Sequence, residues 1–186
     1  MSMANYLDSH KSMVQGKRVI ELGAAAALPS LICAINGASW VAMTDYPDPE
    51  LIQNIQKNVN LNLSKDVAAR TIVQGFQWGQ DVSHLTANGS FDLILMADLI
   101  FNHTEHGSLL SSSKKLLSPG GCIFTTFSHH VVKWADRDMK FFDKAVELGF
   151  QVEKLGEETW GCMFPDDEGD EKVRSTVHLY KLTLMI

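Results

Sequence analysis

The sequence predicts a Rossmann-like α/β fold, built on an open and mostly parallel β-sheet. Apolar stretches of strand length alternate with helical stretches along most of the 186 residues, which is typical of parallel strands joined by helices. The strand over 17–23 turns through small residues into a helix, as in folds that hold a nucleotide-type ligand at the carboxyl edge of the sheet. A second strand, over 39–45, ends in a carboxylate where such folds place an acceptor for ribose hydroxyls. Together these features indicate a domain that binds a nucleoside-containing ligand.

In the first half of the chain, the predicted helices begin and end at residues with clear local preferences. Pro29 suits the first turn of a helix that ends at Ile35, before Gly37. The segment Asp48-Pro49-Glu50 begins the next helix with an N-cap acid, a first-turn proline and an acid favoured by the helix dipole. The predicted elements up to residue 75 are helices over 3–14, 29–35 and 48–63 and strands over 17–23, 39–45 and 70–75.

In the second half, the run over 91–98 is almost continuously apolar, which predicts a strand that is buried on both faces. The last two strands are joined by a loop over 159–174 without a helix, so we expect them to be antiparallel neighbours. The predicted elements are strands over 91–98, 121–128, 150–157 and 173–184, a helix that ends at 117 and a helix over 133–148.

Composition and charge exclude several classes of protein. The chain is 45% hydrophobic and 20% charged, which is the balance of an ordinary globular protein, and we assign 1–186 to one domain. The net charge of -6 disfavours binding to nucleic acid, because phosphate neutralisation needs clustered Lys and Arg. No apolar run is long enough to span a bilayer. Cys33, Cys122 and Cys162 are far apart in the sequence, which favours reduced thiols in an intracellular protein, and we expect the chain to be cytoplasmic.

The turn after the first strand narrows the choice of ligand. It reads Gly23-Ala24-Ala25-Ala26-Ala27 and keeps only the first glycine of the G-x-G-x-x-G pattern that admits a pyrophosphate. Alanine allows moderate backbone approach but disfavours positive φ. The turn therefore favours a nucleoside ligand without a phosphate, such as S-adenosylmethionine, over a nicotinamide dinucleotide. A plainer interpretation, in which the alanines only pack the helix on the sheet, is weakened by the carboxylate of Asp45.

Four segments, taken in order, carry a resemblance to a known family. They are Glu21-Leu22-Gly23-Ala24, the residues 44–50, Phe76-Gln77-Trp78-Gly79 and the residues 92–102. Over essentially its whole length, the chain resembles methyltransferase family 16, the seven-β-strand lysine methyltransferases, and within it the nicotinamide N-methyltransferase-like branch. The resemblance implies a class I S-adenosylmethionine-dependent methyltransferase fold, with a seven-stranded, mostly parallel sheet and one antiparallel strand near its edge. It also implies a protein partner, because members methylate the N-terminal amine and a nearby lysine of translation elongation factor 1-alpha, with S-adenosyl-L-homocysteine as the other product.

The resemblance further implies roles for single residues. Glu21 would organise the amino-acid end of the cofactor, and Asp45 would accept both ribose hydroxyls, since a carboxylate has two oxygens. Trp78 would lie beside the adenine, where a flat apolar ring suits stacking. Asp98 and Phe101 match an acid-x-x-aromatic signature at the substrate entrance, and we expect Asp98 to orient the acceptor amine and Phe101 to form one wall of the cleft. The remaining expected cofactor contacts are Gly23, Ala24, Ala25 and Ala97.

Several alternatives remain open on the sequence. The turn holds fewer glycines than the family usually has, and a further N-terminal segment that helps to cover the cofactor is apparently missing, so the chain could lack activity. A nicotinamide or other small-amine N-methyltransferase fits the same motifs, as does a non-catalytic interaction module, although such a module does not need Asp45. The histidines at 103, 106, 129 and 130 do not have convincing metal-ligand spacing, and we expect no metal there. We expect these histidines to rim the substrate cleft instead.

Overall fold

The computed structural model describes residues 2–161 and 168–185. Within these residues, seven strands form one sheet. The strands are β1 (Arg18–Leu22), β2 (Trp40–Asp45), β3 (Thr71–Gly75), β4 (Phe91–Ala97), β5 (Leu117–Phe127), β6 (Phe150–Thr159) and β7 (Thr176–Leu184). They lie in the order β3-β2-β1-β4-β5-β7-β6, and β7 is antiparallel to both of its neighbours while the other pairs are parallel. The predicted mostly parallel sheet with one antiparallel strand near its edge is confirmed.

Helices connect the strands. The α-helices of the described residues are α1 (Ser2–Ser9), α2 (Leu28–Ile35), α3 (Pro49–Asn62), α4 (Lys65–Ala68), α5 (Ser83–Thr86), α6 (His106–Leu116), α7 (Ala135–Glu147) and α8 (Glu171–Ser175). Among them, none is both long enough and apolar enough to cross a membrane. The helix α3 begins as predicted, because Asp48 accepts a hydrogen bond of 2.8 Å from the backbone N–H of Glu50 and Pro49 follows the cap.

Short and terminal elements account for most differences from the predicted elements. The predicted helix over 3–14 ends at Ser9 and is followed by a single 3-10 turn over Lys11–Met13. The sequence does not predict α4 and α5, since four residues are too few to show a helical period. The strand β5 begins at Leu117 rather than at 121, because Leu117 pairs with Phe91 before the register of the two strands shifts.

The loop predicted over 159–174 differs most from the structure. The strand β6 is longer than predicted, and α8 follows an N-cap at Asp170, whose carboxylate accepts hydrogen bonds from two backbone N–H groups of the first helical turn. Because α8 takes up the start of the predicted last strand, β7 begins at Thr176. Residues 162–167 of this loop, which include the third cysteine, lie outside the described residues.

The strand β4 is buried on both faces, as its apolar run predicts. Its side chains alternate between two apolar clusters, with Ile94 and Met96 in one and Leu93 and Leu95 in the other. The parallel register pairs Met96 with Leu22 at the end of β1, and β2 lies on the other side of β1. The carboxyl ends of β1, β2 and β4 therefore meet at one edge of the sheet, where parallel sheets bind ligands.

Candidate active site

The turn after β1 takes an unusual backbone path. Gly23, Ala25 and Ala27 all have positive φ, of 62°, 49° and 59°. This left-handed region costs a residue with a Cβ about 1–2 kcal/mol, so the two alanines adopt it against their preference. Gly23 has a second constraint, because a Cβ atom at this position would lie 2.6 Å from Cδ2 of Leu99. Glycine thus occupies the position where a Cβ has no room, and alanine occupies the positions where only the backbone φ is unfavourable.

Asp45, the last residue of β2, holds this turn in place. Its Oδ2 atom accepts a hydrogen bond of 2.7 Å from the backbone N–H of Ala25, and its Oδ1 atom accepts one of 2.7 Å from the N–H of Tyr46. A carboxylate oxygen has two lone pairs, so each oxygen can accept a further hydrogen bond from a ligand. Asp45 can therefore bind two adjacent hydroxyl groups while it shapes the turn.

A first cavity of about 570 Å³ opens beside Asp45, within the size range of small-molecule sites. One wall is formed by Phe76 and Trp78, which follow β3. The next residue fixes this segment, because the backbone N–H of Gly79 donates a 2.8 Å hydrogen bond to Oγ of Ser112 on α6. Seven of the nine predicted site residues line this cavity: Gly23, Ala25, Asp45, Trp78, Ala97, Asp98 and Phe101.

Further residues line the first cavity without a role that the sequence motifs assign to them. These residues are Tyr46, Phe76, Gln77, Leu99, Asn102 and Glu105. All but Glu105 lie inside the four segments that carry the resemblance, which is the signal that could have identified them.

The remaining two predicted residues, Glu21 and Ala24, line a second cavity of about 460 Å³ above the N-terminus of α2. Glu21 is almost fully buried, and its Oε2 atom accepts a hydrogen bond of 3.0 Å from the backbone N–H of Ser30. Burial raises the pKa of the Glu21 carboxyl to about 8, and the nearby charge of Asp45 acts in the same direction. A carboxyl with this pKa can lose its proton when a cationic group binds beside it. The two cavities share Gly23, Ala25, Ala97 and Asp98 as lining residues.

Asp98 lies where the first cavity adjoins a third cavity of about 360 Å³. It follows β4 with a φ of 60°, and its backbone N–H donates a 2.7 Å hydrogen bond to the carbonyl oxygen of Thr126. Both oxygens of its carboxylate are within hydrogen-bond distance of Nε2 of His130, at 2.8 and 2.9 Å. Phe101, which is 57% exposed, also lines both cavities, and Trp134 lines the third. The two predicted catalytic residues thus lie together at this junction.

The histidines predicted to rim a cleft fall into two groups. His103 and His130 line the third cavity, whereas His106 and His129 are buried. Asp138 of α7 binds two of them, since its oxygens lie 2.6 Å from Nε2 of His103 and 2.7 Å from Nδ1 of His129. Across residues 2–161 and 168–185, no three His, Cys, Asp or Glu side chains are arranged to hold a metal ion.

Comparison with known proteins gives the chain a family. Residues 1–147 match a family model described as "Lysine methyltransferase". The curated relatives include "Protein N-terminal and lysine N-methyltransferase efm7" of Schizosaccharomyces pombe, 41% identical over 194 residues that cover 100% of this chain and 75% of that protein. The protein of the same name from Yarrowia lipolytica is 42% identical over 201 residues, which cover 97% of this chain and 73% of that protein.

Solved structures share the fold at low sequence identity. The glycopeptide N-methyltransferase MtfA complexed with sinefungin has a TM-score of 0.65 and 13% identity, with 99% of this chain and 93% of that chain covered. The precorrin-6y C5,15-methyltransferase of Geobacter metallireducens has a TM-score of 0.63 and 13% identity, with 97% and 87% covered. At these identities the likeness shows the fold alone, which is that of class I methyltransferases.

Proposed function

The chain belongs to the lysine methyltransferase family, methyltransferase family 16, and is an N-methyltransferase; we propose that it transfers methyl groups from S-adenosylmethionine to translation elongation factor 1-alpha. The acceptors are the N-terminal amine, a nearby lysine or both. The observation that carries this proposal is the position of Asp98, between a cavity suited to a nucleoside and a cavity open to an incoming amine.

The residues of the first two cavities fit S-adenosylmethionine. Asp45 offers free lone pairs for the two ribose hydroxyls, and Trp78 offers a flat wall for the adenine. Glu21 lies at the second cavity, where its carboxyl can pair with the cationic amino group of the ligand's methionine part. S-adenosylmethionine carries no phosphate, which agrees with an alanine-rich turn. When bound, it supplies an electrophilic methyl group on a sulfonium, which leaves as neutral S-adenosyl-L-homocysteine.

The chain's own residues contribute mainly by positioning. The acceptor nitrogen must present its lone pair to the methyl carbon, and an N–H donated to the Asp98 carboxylate fixes that direction. Phe101 forms a wall beside the amine. Asp98 and Phe101 would hold the acceptor in this pose during transfer, and the methylated ammonium would lose its extra proton to water. The amine must be neutral to react, and an N-terminal amine, with a pKa of about 7.7–8.0, is neutral more often at pH 7 than a lysine, at about 10.4.

A protein acceptor is supported by the names of the relatives, which specify protein N-terminal and lysine methylation. Elongation factor 1-alpha as that protein is supported by the resemblance of the four sequence segments to the nicotinamide N-methyltransferase-like branch. We place the reaction in the cytoplasm, where this elongation factor works in translation.

The test has a binding stage and a transfer stage. Calorimetry with S-adenosyl-L-homocysteine, and with NADH as the control ligand, reports whether the chain holds the expected cofactor. Labelled S-adenosylmethionine is then supplied with elongation factor 1-alpha, the same protein with a blocked N-terminus, or nicotinamide. We expect label on the elongation factor, located by mass spectrometry of its N-terminal peptide. Label on nicotinamide alone contradicts the protein acceptor, and binding without any transfer contradicts catalysis by this chain.

A further inference from the structure

We propose that His130 is a positioning residue for methyl transfer: it holds the Asp98 carboxylate at the junction of the first and third cavities, in the orientation that receives the acceptor amine. The inference rests on the proposed function. The inference adds His130 to the proposed site. This residue lies 32 positions from Asp98 in the sequence and comes close to it only in the folded chain.

The Asp98 carboxylate needs such a partner. Its side chain is 43% exposed, and its backbone already takes the left-handed conformation, with a φ of 60°. An exposed carboxylate with two rotatable bonds samples several rotamers, and only some of them direct an oxygen at an amine in the third cavity. The bond from one imidazole nitrogen to both oxygens, at 2.8 and 2.9 Å, selects a single orientation.

His130 is itself well placed to do this. Its ring is only 24% exposed and meets the ring of Phe101 edge-on, with a centroid distance of 6.0 Å. Its backbone N–H donates a hydrogen bond of 3.1 Å to the carbonyl oxygen of Ser128. The preceding residue, His129, is fixed by its 2.7 Å bond to Asp138 of α7. The backbone of His130 and the side chain of His129 are thus both held in place, which keeps the His130 ring directed at Asp98.

The chemistry explains why this orientation matters. Each Asp98 oxygen that binds Nε2 retains a second lone pair, which can accept an N–H of the acceptor. In-line transfer needs the nitrogen within a narrow range of distance and angle, and a misplacement of about 1 Å costs about 100-fold in rate. Losing His130 therefore leaves Asp98 present but misdirected, which lowers turnover more than cofactor binding.

A matched pair of variants tests the inference. In His130→Gln, the side-chain amide nitrogen can reach the position that Nε2 of the histidine ring occupies. In His130→Asn, the side chain is shorter and its amide nitrogen falls near the position of Nδ1. Both variants are neutral amides, so they differ mainly in reach. Turnover and KM for the elongation factor are measured together with S-adenosyl-L-homocysteine affinity by calorimetry. The variant His10→Asn serves as a control, because His10 is exposed and bonds to the carbonyl oxygen of Tyr6 on α1.

We expect His130→Asn to lower kcat by about 10- to 100-fold with S-adenosyl-L-homocysteine affinity within about threefold of wild type, and His130→Gln to recover most of the loss. A double-variant cycle adds a second reading. Because His130 acts through Asp98, His130→Asn should cost almost nothing further in the Asp98→Ala background.

Equal turnover of the Gln and Asn variants, or additive losses in the cycle, overturns the role of His130. A wild-type chain that binds S-adenosyl-L-homocysteine but methylates no amine contradicts the proposed function instead, and the inference then fails with it. The activity of the wild-type chain, which is measured first, distinguishes failure of the proposed function from failure of the role of His130.

Discussion

The Oδ2 atom of Asp45 accepts a hydrogen bond of 2.7 Å from the backbone N–H of Ala25, so the end of β2 directly supports the turn after β1. The same carboxylate faces the first cavity, where we propose that it binds the ribose. One side chain therefore joins the shape of the turn to the recognition of the cofactor.

Replacement of Asp45 by alanine should weaken S-adenosyl-L-homocysteine binding by at least about 100-fold, because two charge-assisted hydrogen bonds are each worth about 1.5–3 kcal/mol. Calorimetry measures this. The matched control is Asp48→Ala, which removes the cap of α3 but lies outside the lining of the first cavity. The control should lose about 1 kcal/mol of stability and keep its affinity. An Asp45→Ala chain that is folded and binds within about threefold of wild type would show that Asp45 is not the ribose acceptor.

Substitution of glycine for Ala25 should stabilise the chain, which is the reverse of the usual effect of this change. Ala25 is exposed and has a φ of 49°, so glycine removes backbone strain without removing a buried methyl group. We expect a gain of up to about 1 kcal/mol in the free energy of unfolding, measured in urea. The adjacent Ala26 is also exposed but has no positive φ, and Ala26→Gly should destabilise the chain. Equal losses in the free energy of unfolding for Ala25→Gly and Ala26→Gly would contradict backbone strain at Ala25.

Much of the site can be predicted from sequence because its residues lie at the ends of strands. Glu21 is the last residue but one of β1, Asp45 ends β2 and Asp98 follows β4. An apolar run marks each of these strands clearly, and the carboxyl ends of parallel strands lie at one edge of a sheet. The fold class follows from the same alternation. Local pattern and topology are therefore enough to predict that these three acids lie at one edge of the sheet.

Features that depend on distant contacts cannot be predicted in this way. Nothing local indicates that His130 reaches Asp98, or that Ser112 of α6 anchors the segment that carries Trp78. The same holds for the division of the histidines into two groups. Whether a histidine lines the third cavity or is buried depends on how α7 and the segment after β5 pack in the folded chain, which no short motif encodes.

The raised pKa of Glu21 makes a specific prediction for stability against pH. Burial raises this pKa from 4.5 to about 8 in the folded chain, so between these values the folded state holds a proton that the unfolded state has lost. The stabilisation that this proton gives the folded state is fully present below about pH 4.5. It is lost as the pH rises towards 8, at a rate of at most about 1.4 kcal/mol per pH unit.

The variant Glu21→Gln removes this titration and keeps an oxygen to accept the hydrogen bond from Ser30. Its free energy of unfolding relative to wild type should therefore rise steadily between about pH 5 and about pH 8, as measured in urea at each pH. The control variant is Glu50→Gln, at an exposed position. Its free energy of unfolding should differ from that of wild type by the same amount over this range. A constant difference for Glu21→Gln as well would mean that Glu21 is ionised in the folded chain throughout this range.

The buried Asp138 should be the most sensitive acidic residue of α7. Its carboxylate is the acceptor for ring nitrogens of both His103 and His129, so Asp138→Ala leaves two donors without their acceptor at the wall of the third cavity. Because breaking such a buried pair is costly, we expect a loss of about 3 kcal/mol in the free energy of unfolding. Asp136 lies in the same helical turn but is exposed, and Asp136→Ala should cost less than about 1 kcal/mol. Urea unfolding of both variants at neutral pH tests the comparison, and similar losses would show that the two histidine bonds add no stability beyond that of an ordinary first-turn acid.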